Sequence, residues 1–390
     1  MTAPRGPERG WLEVDLGAVR ANARALLETA GVPLCAVVKA DAYGHGASDV
    51  ARAARQGGAS AVAVATPEEA LRLREAGLLG PVQVLGALLD EELEPALEAG
   101  AELTLQHPDD LRRLRAAAAR AGRPLSVHLE VDCGMARAGV APEDALPLLG
   151  QLRDAAGLRA VGLMTHLSSA LGDPAISQAE LARFQGVVDA ARAAGLLPPR
   201  VHAAASAGLL RFPEARHTQV RSGIALLGLD PQGALSAAGA RLRPALSLHA
   251  RVLRLRHLEP GQPAGYSGRF VAARPTRLAL IGLGYADGLP WGASCQGAEV
   301  LLQGRRCPLV GSIMMDYALV DTTDVPGEVA PGDVVTVFGR QGAAALPLEG
   351  LARAAGIIPY ALACGLGGRL RRELVGVETG LSTGSFRRAA

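Results

Sequence analysis

Leu34-Cys35-Ala36-Val37-Val38-Lys39-Ala40-Asp41-Ala42-Tyr43-Gly44-His45-Gly46 is an apolar run, one lysine and a turn of small and polar residues. Residues 34–38 read as a buried β-strand with Lys39 at its carboxyl end. Lys39 is the only lysine in the chain; the other 39 of the 40 basic residues are arginines. Arginine keeps the charge, but its guanidinium cannot be deprotonated in a protein, so it serves neither as a nucleophilic amine nor as a proton acceptor. A position that stays lysine in such a chain is needed as an amine, which points to Schiff-base or general-base chemistry.

Outward from this run the same rhythm repeats. Short apolar runs follow at residues 61–65, 82–85, 101–105, 125–131, 160–165, 200–203 and 217–221. Helix-period segments lie between them at 67–76, 90–99, 108–121 and 174–194, each opening on a proline or an acidic residue. Eight strand–helix repeats predict an N-terminal (β/α)8 TIM-type barrel. A doubly wound sheet would show fewer repeats and a G-x-G-x-x-G after its first strand, and none stands there. After Arg241 short β-rich runs dominate (246–253, 278–281, 300–302, 334–338), punctuated by Gly and Pro. They predict a C-terminal, mostly antiparallel β domain. The expected division is a barrel at 12–240, a β domain at 241–378, and tails at 1–11 and 379–390, the last of loop composition. A length of 390 residues suits two domains.

Composition narrows the function. A net charge of +2 and few aromatics give no basic-aromatic stripe, so nucleic acid is not an expected partner. Cys35, Cys133, Cys295, Cys307 and Cys364 are widely spaced, with no Cys-x-x-Cys pair and no zinc spacing, so free thiols and no metal are expected. The first ten residues lack the apolar stretch of a signal peptide, and no run reaches the ~18 residues of a membrane span. A soluble, cytoplasmic protein is the expectation.

In such a barrel, functional groups sit at the carboxyl ends of the strands, and phosphate is commonly held after strands 7 and 8. Lys39 ends the first strand, His166 the sixth, Ser206 follows the seventh, and Arg221-Ser222-Gly223-Ile224 closes the eighth. A reactive amine facing a phosphate cradle suggests pyridoxal 5'-phosphate, whose aldehyde condenses with lysine and whose phosphate needs anchoring.

Several spaced segments carry a family resemblance: residues 36–46, Val131-Asp132-Cys133-Gly134-Met135-Ala136-Arg137, Thr165-His166, Val220-Arg221-Ser222-Gly223-Ile224-Ala225, Gly284-Tyr285-Ala286-Asp287-Gly288 and Met315-Asp316. From about Trp11 to Arg372 the chain resembles the alanine racemases, pyridoxal-phosphate enzymes with a barrel and a C-terminal β domain. The resemblance implies that Lys39 carries the cofactor, and that Tyr43, Ser206, the backbone at Gly223 and Ile224, and Tyr360 hold its phosphate. It implies that Arg221 bonds the pyridine nitrogen, a cation that keeps this nitrogen unprotonated and makes the cofactor a weaker electron sink. Arg137 is expected at the phenolic oxygen and the substrate carboxylate.

Racemisation removes a proton from one face of Cα and delivers one to the other, so two bases are the simpler solution. Lys39 serves one face; Tyr266, in Gly265-Tyr266-Ser267-Gly268-Arg269-Phe270, resembles the second base. A phenol with an ordinary pKa of about 10 needs help, which the resemblance assigns to His166, between Tyr266 and Arg221. Tyr266, Met315 and Asp316 come from the partner subunit in the family, so a homodimer with shared sites is implied. D-alanine for peptidoglycan is the implied role.

Glu130 stands where many relatives carry a carbamate-modified lysine, and no second lysine exists here. Leu171, Trp291, Ala205, Leu227, Ile357 and Ala361 replace residues usually more polar or aromatic, leaving a less polar approach and the preference for alanine open. The alternatives are a broad-specificity or serine racemase, a decarboxylase of similar architecture (opposed by Arg221), and a non-enzymatic pyridoxal-phosphate carrier (opposed by Tyr266 and the β domain).

Overall fold

The computed structural model describes residues 8–230, 233–237 and 241–377. The first elements among the described residues are β1 (Gly10–Asp15) and a helix (Leu16–Ala30), followed by eight parallel strands. These are β2 (Leu34–Val37), β3 (Ala61–Val64), β4 (Val82–Val84), β5 (Leu103–Leu105), β6 (Leu125–Glu130), β7 (Leu158–Met164), β8 (Arg200–His202) and β9 (Val220–Ser222). Their order is β4-β3-β2-β9 in one half and β5-β6-β7-β8 in the other. Two seams close the ring. Val84 N–H donates to Glu102 O (2.9 Å) between β4 and β5, and Thr218 N–H to Val201 O (3.1 Å) between β8 and β9.

Each run of the sequence reading is one of these strands. β2 and β3 are buried at every position, as expected for parallel strands covered on both faces. The flanking helices start where the sequence places caps. Thr66 and Glu69 form a reciprocal capping box around Pro67 at the head of the helix Pro67–Glu75. Asp173 caps the helix Pro174–Ala193, accepting from Ala175 N–H. The expected helix at 90–99 divides into a 3-10 turn (Asp90–Glu92) and a short helix (Leu93–Glu98), and the next begins at Asp110 rather than at 108.

The β domain holds β10 (Leu246–Leu258), β11 (Pro263–Ala264), β12 (Phe270–Val271), β13 (Thr276–Ile281), β14 (Glu299–Leu302), β15 (Arg305–Val310), β16 (Ala318–Asp321), β17 (Val334–Gln341), β18 (Ala344–Leu346) and β19 (Arg371–Val375). The ladder runs β17-β14-β15-β16-β13-β10, and pairing of β10 with β17 returns it to its start. Closure of this ring leaves the short strands β18 and β19 at the ends of the sheet.

β1 differs from the expectation that the barrel starts at residue 12 after a tail at 1–11. It pairs antiparallel with β10 (Gly10↔Ala250 to Val14↔Leu246) and parallel with β19 (Trp11↔Arg371 to Asp15↔Val375). Leu12 and Val14 are buried there, and Trp11 stacks on His249 at 5.2 Å. The first and last strands thus tie both ends of the described chain to the β domain. The tail expected at 379–390 lies outside the described residues.

Candidate active site

Lys39 follows β2 at the barrel mouth, half-buried. Burial and then the Arg137 cation lower its amine pKa, Glu69 opposes them, and Arg221 adds to the lowering. The amine is therefore more easily freed of its proton than an exposed lysine, which suits both a nucleophile and a base.

Four residues later Tyr43 faces the end of β9. A methyl group on Gly223 would stand 2.6 Å from the Tyr43 hydroxyl, so a larger residue there would push the Tyr43 ring aside. Ser206 Oγ accepts from Gly223 N–H and Ala225 N–H, both at 3.2 Å, and lies 3.1 Å from Ser222 Oγ. Ile224 sits half-buried between those donors. Tyr360, on the helix Pro359–Gly365, joins Cys364 behind burial in raising the Tyr43 phenol to about 12. Hydroxyls and backbone N–H groups gathered where Tyr43 crowds Gly223 form a donor set suited to a phosphate.

Arg221 is buried inside the barrel. Burial brings its guanidinium down to about 10, still cationic at neutral pH. Its Nη2 donates to Thr165 O (2.7 Å) and Ala203 O (3.3 Å), and its Nη1 to His202 O (2.9 Å) and His202 Nδ1 (2.5 Å). Because a guanidinium only donates, His202 Nδ1 must carry a lone pair and its proton must sit on Nε2. His202 Nε2 lies 3.0 Å from His128 Nδ1, and His128 Nε2 lies 3.0 Å from Glu102 Oε2. The donors therefore run one way, from Arg221 through two neutral histidines to Glu102. Arg200 grips that carboxylate with two bonds of 2.7 and 2.9 Å. Burial pushes the Glu102 carboxyl up, but bonds from His128 and Arg200 outweigh it and bring it to about 2. Sequence reading passed over this chain; its only local signal is a histidine within two apolar strands.

His166, at the end of β7, is held neutral: burial, Arg221, Arg137 and Lys39 together lower it to about 3. Glu130 Oε1 lies 3.8 Å from Arg137 Nη2, and its other oxygen accepts from Gln106 Nε2. Burial raises the Glu130 carboxyl against the opposing pull of Gln106, Arg221 and Arg137. Cys133 is buried and its thiol is pushed up, chiefly by burial, so little thiolate is available for oxidation.

The structure gathers Lys39, Tyr43, Arg137, His166, Ser206, Arg221, Gly223, Ile224 and Tyr360 at one end of the barrel. Tyr266, Met315 and Asp316 lie elsewhere, in the β domain. Tyr266 is 70% exposed and Met315 54%. Asp316 pairs with Arg369, which also bonds Asp287, both at 2.9 Å. Among the described residues none of the three makes a hydrogen bond to the barrel mouth. Trp291, also exposed, carries the Arg269 guanidinium 5.7 Å over its ring, which braces the segment after Tyr266. Leu171 is 37% exposed.

Buried neutral histidines make the fold acid-sensitive. His45 (to about 4), His166 (to about 3), His128 and His202 all have folded pKa values below the unfolded 6.5, with burial the first cause in each. Below pH 6.5 the unfolded chain binds more protons, so stability present at neutral pH is lost as pH falls through the window from 6.5 towards 4. The slope approaches roughly 1.4 kcal/mol per pH unit for each such histidine. A thermal-unfolding series from pH 8 to 4.5 is expected to show a flat Tm above pH 7 and a steep fall below 6; a flat profile throughout contradicts the buried neutral assignment.

With this geometry in place, comparison with known proteins decides the family. Residues 14–231 match the family described as alanine racemase, N-terminal domain, and 245–374 its C-terminal domain. The chain belongs to the alanine racemase family. It is 40% identical over 366 residues to the alanine racemase of Symbiobacterium thermophilum, covering 93% of this chain and 96% of that one. The solved alanine racemase of the D-cycloserine producer Streptomyces lavendulae superposes with a TM-score of 0.89 at 34% identity, covering 96% and 99% of the two chains. The Bartonella henselae alanine racemase with covalently bound pyridoxal phosphate gives 0.83 at 28%, covering 95% and 100%. Racemases of this family share both the barrel and the β domain found here.

Proposed function

We propose that the chain interconverts L-alanine and D-alanine, using pyridoxal 5'-phosphate held at the barrel mouth and a second copy of the chain to complete each site. The observation that carries this reading is a single amine of lowered pKa, Lys39, set against a donor cradle built from Tyr43, Ser206 and Gly223. The likeness to a relative with covalently bound pyridoxal phosphate supports the cofactor.

Bound pyridoxal phosphate supplies an electron sink that acidifies the substrate Cα–H. Ser206, Tyr43, Tyr360 and the N–H groups at Gly223 and Ile224 would anchor the phosphate, and Arg221, fixed by four hydrogen bonds, presents a cation to the ring nitrogen. Arg137, steadied by Glu130, takes the substrate carboxylate. Lys39 Nζ takes or returns the Cα proton on one face, and Tyr266 Oη does so on the other, so the C–H bond broken on one side is remade on the opposite side. His166, held neutral, adds no charge where Tyr266 of a second copy would enter. Exposed Tyr266 and Met315 suit a partner subunit that covers them. The product serves peptidoglycan assembly in the cytoplasm under this reading, and among the described residues no helix is long and apolar enough to cross a membrane.

The test is chiral chromatography after incubating the cofactor-loaded protein with separate L-amino acids. D-alanine in excess supports the reading. Several D-products at similar rates convert it to a broad-specificity racemase, consistent with the apolar Leu171 and Trp291 at the surface. No D-product despite bound cofactor favours a carrier. Because Glu130 stands where many relatives carry a modifiable lysine and Lys39 is the only lysine in the chain, kcat/KM is expected to be unchanged when bicarbonate is added or stripped; a clear rise on addition would contradict this.

A further inference from the structure

Ala40, Asp41, Ala42 and Tyr43 follow Lys39 with φ of 52, 54, 53 and 53°, four consecutive side-chain-bearing residues in the left-handed region. That geometry crowds each Cβ against the next carbonyl and costs about 1–2 kcal/mol per residue. Such a run persists only where its surroundings over-determine it.

Two side chains from outside the turn hold it, one on each side. Glu69, on the helix Pro67–Glu75, accepts Ala40 N–H at Oε1 (2.6 Å), while its Oε2 accepts Ala65 N–H (2.8 Å) beyond β3. The carboxylate thus pins the start of the turn to the neighbouring strand. Arg372, on β19 of the β domain, donates from Nε to Gly44 O (2.8 Å) and pairs through Nη2 with Asp41 (2.9 Å). The same Asp41 accepts Ala47 N–H (2.8 Å) at the head of the next helix, Ala47–Gln56. Gly44 itself, at φ 83°, lies so close to Ala363 O that a Cβ cannot fit.

Lys39 and Tyr43 stand at the two ends of this turn. Relaxing any residue between them to the right-handed region would re-aim one relative to the other. We propose that Glu69 and Arg372 are positioning residues that keep the strained turn wound left-handed, so that the Lys39 amine and the Tyr43 hydroxyl address the same cofactor. Neither touches the reacting atoms. The proposal rests on the reading of Lys39 as the cofactor-binding amine. It gives β19, and through it the β domain, a direct hold on the barrel's reactive group.

Glycine adopts positive φ without a Cβ penalty, and Ala40 is exposed, so Ala40→Gly relieves strain without removing packing. The experiment compares Glu69→Ala and Arg372→Gln in the full chain, each with and without Ala40→Gly. The readout is the rate at which cofactor-free protein captures pyridoxal phosphate, followed by visible absorbance, with Tm measured alongside. Each single variant is expected to capture about 10- to 100-fold more slowly, and Ala40→Gly is expected to restore most of that rate. A residue that served stability alone would shift Tm, but its capture rate would not respond to glycine in the turn. If Arg372→Gln cannot be isolated, Asp41→Asn removes the charge pairing while leaving an oxygen for Ala47 N–H, and slower capture is again expected. Wild-type capture rates in the variants, or slow capture that Ala40→Gly fails to restore, overturn the proposal. Failure of the parent chain to capture cofactor at Lys39 overturns both this proposal and the reading beneath it. Expected capture behaviour without D-alanine formation would sustain the clamp and sink only the racemase assignment.

Discussion

Lys39→Arg is expected to leave the fold intact and to lower racemisation by about 10⁴-fold or more, since under the proposed function it removes both the covalent partner of the cofactor and one of two proton-transfer groups. The substitution keeps the positive charge between Arg137, Glu69 and Arg221, so the electrostatics of the mouth change little. What is lost is an amine that can shed its proton. In the parent, burial and Arg137 lower that pKa, so free amine persists further towards neutral pH than on a surface lysine. Activity should accordingly fall on the acid side as the amine protonates. The measurement is D-alanine formation at matched protein concentration, with Tm and cofactor absorbance recorded for both proteins. Activity retained within about tenfold of the parent, with Tm unchanged, would show that the amine is dispensable and that Lys39 survives for another reason.

That position was legible in the sequence because one unusual residue, a lone lysine among arginines, ended an unusually apolar run. The eight barrel strands were legible for a related reason. A strand buried on both faces has no polar alternation to dilute it, so β2 and β3 appear as short, almost wholly apolar blocks, whereas β8 (Arg-Val-His) and β9 (Val-Arg-Ser) follow from the strand–helix rhythm rather than from their own composition. β1 was not. A strand followed by the helix Leu16–Ala30 has the same local pattern as a barrel unit, and nothing in residues 10–15 says that its partners lie at Leu246–Leu258 and Arg371–Val375. The chain from Arg221 through His202 and His128 to Glu102 was equally hidden, because it exists only when β9, β8, β6 and the residue before β5, far apart in sequence, surround one interior. Nor does Ala-Asp-Ala-Tyr announce a left-handed turn: it contains no glycine, and local preference argues against that conformation. Local pattern specifies the elements, and long-range contacts then force a few residues away from local preference near Lys39.

Tyr266 tests the other half of the site and the assembly together. Tyr266→Phe removes one hydroxyl from a side chain that is 70% exposed in the single chain, so little stability is at stake. Racemisation is nevertheless expected to fall by about 10²- to 10⁴-fold, the range for loss of a proton-transfer group. Cofactor capture by Lys39 should be unaffected, which separates this variant from Lys39→Arg. If Tyr266 acts across the subunit boundary, two inactive variants can repair one another. Mixed dimers of Lys39→Arg and Tyr266→Phe chains contain one site with both groups intact and one site with neither. Random reassociation of equal amounts makes half the dimers mixed, so the mixture should recover about a quarter of parental activity, following from two-fold symmetry alone. The mixture is made by joint unfolding and refolding or by co-expression, and D-alanine formation is compared with that of each variant refolded separately. Recovery near that level establishes that Lys39 and Tyr266 meet from different chains. No recovery, with mixed dimers demonstrated by differential tags, would place both groups of each site in one chain and require Tyr266 to reach the barrel mouth by a rearrangement of its own β domain.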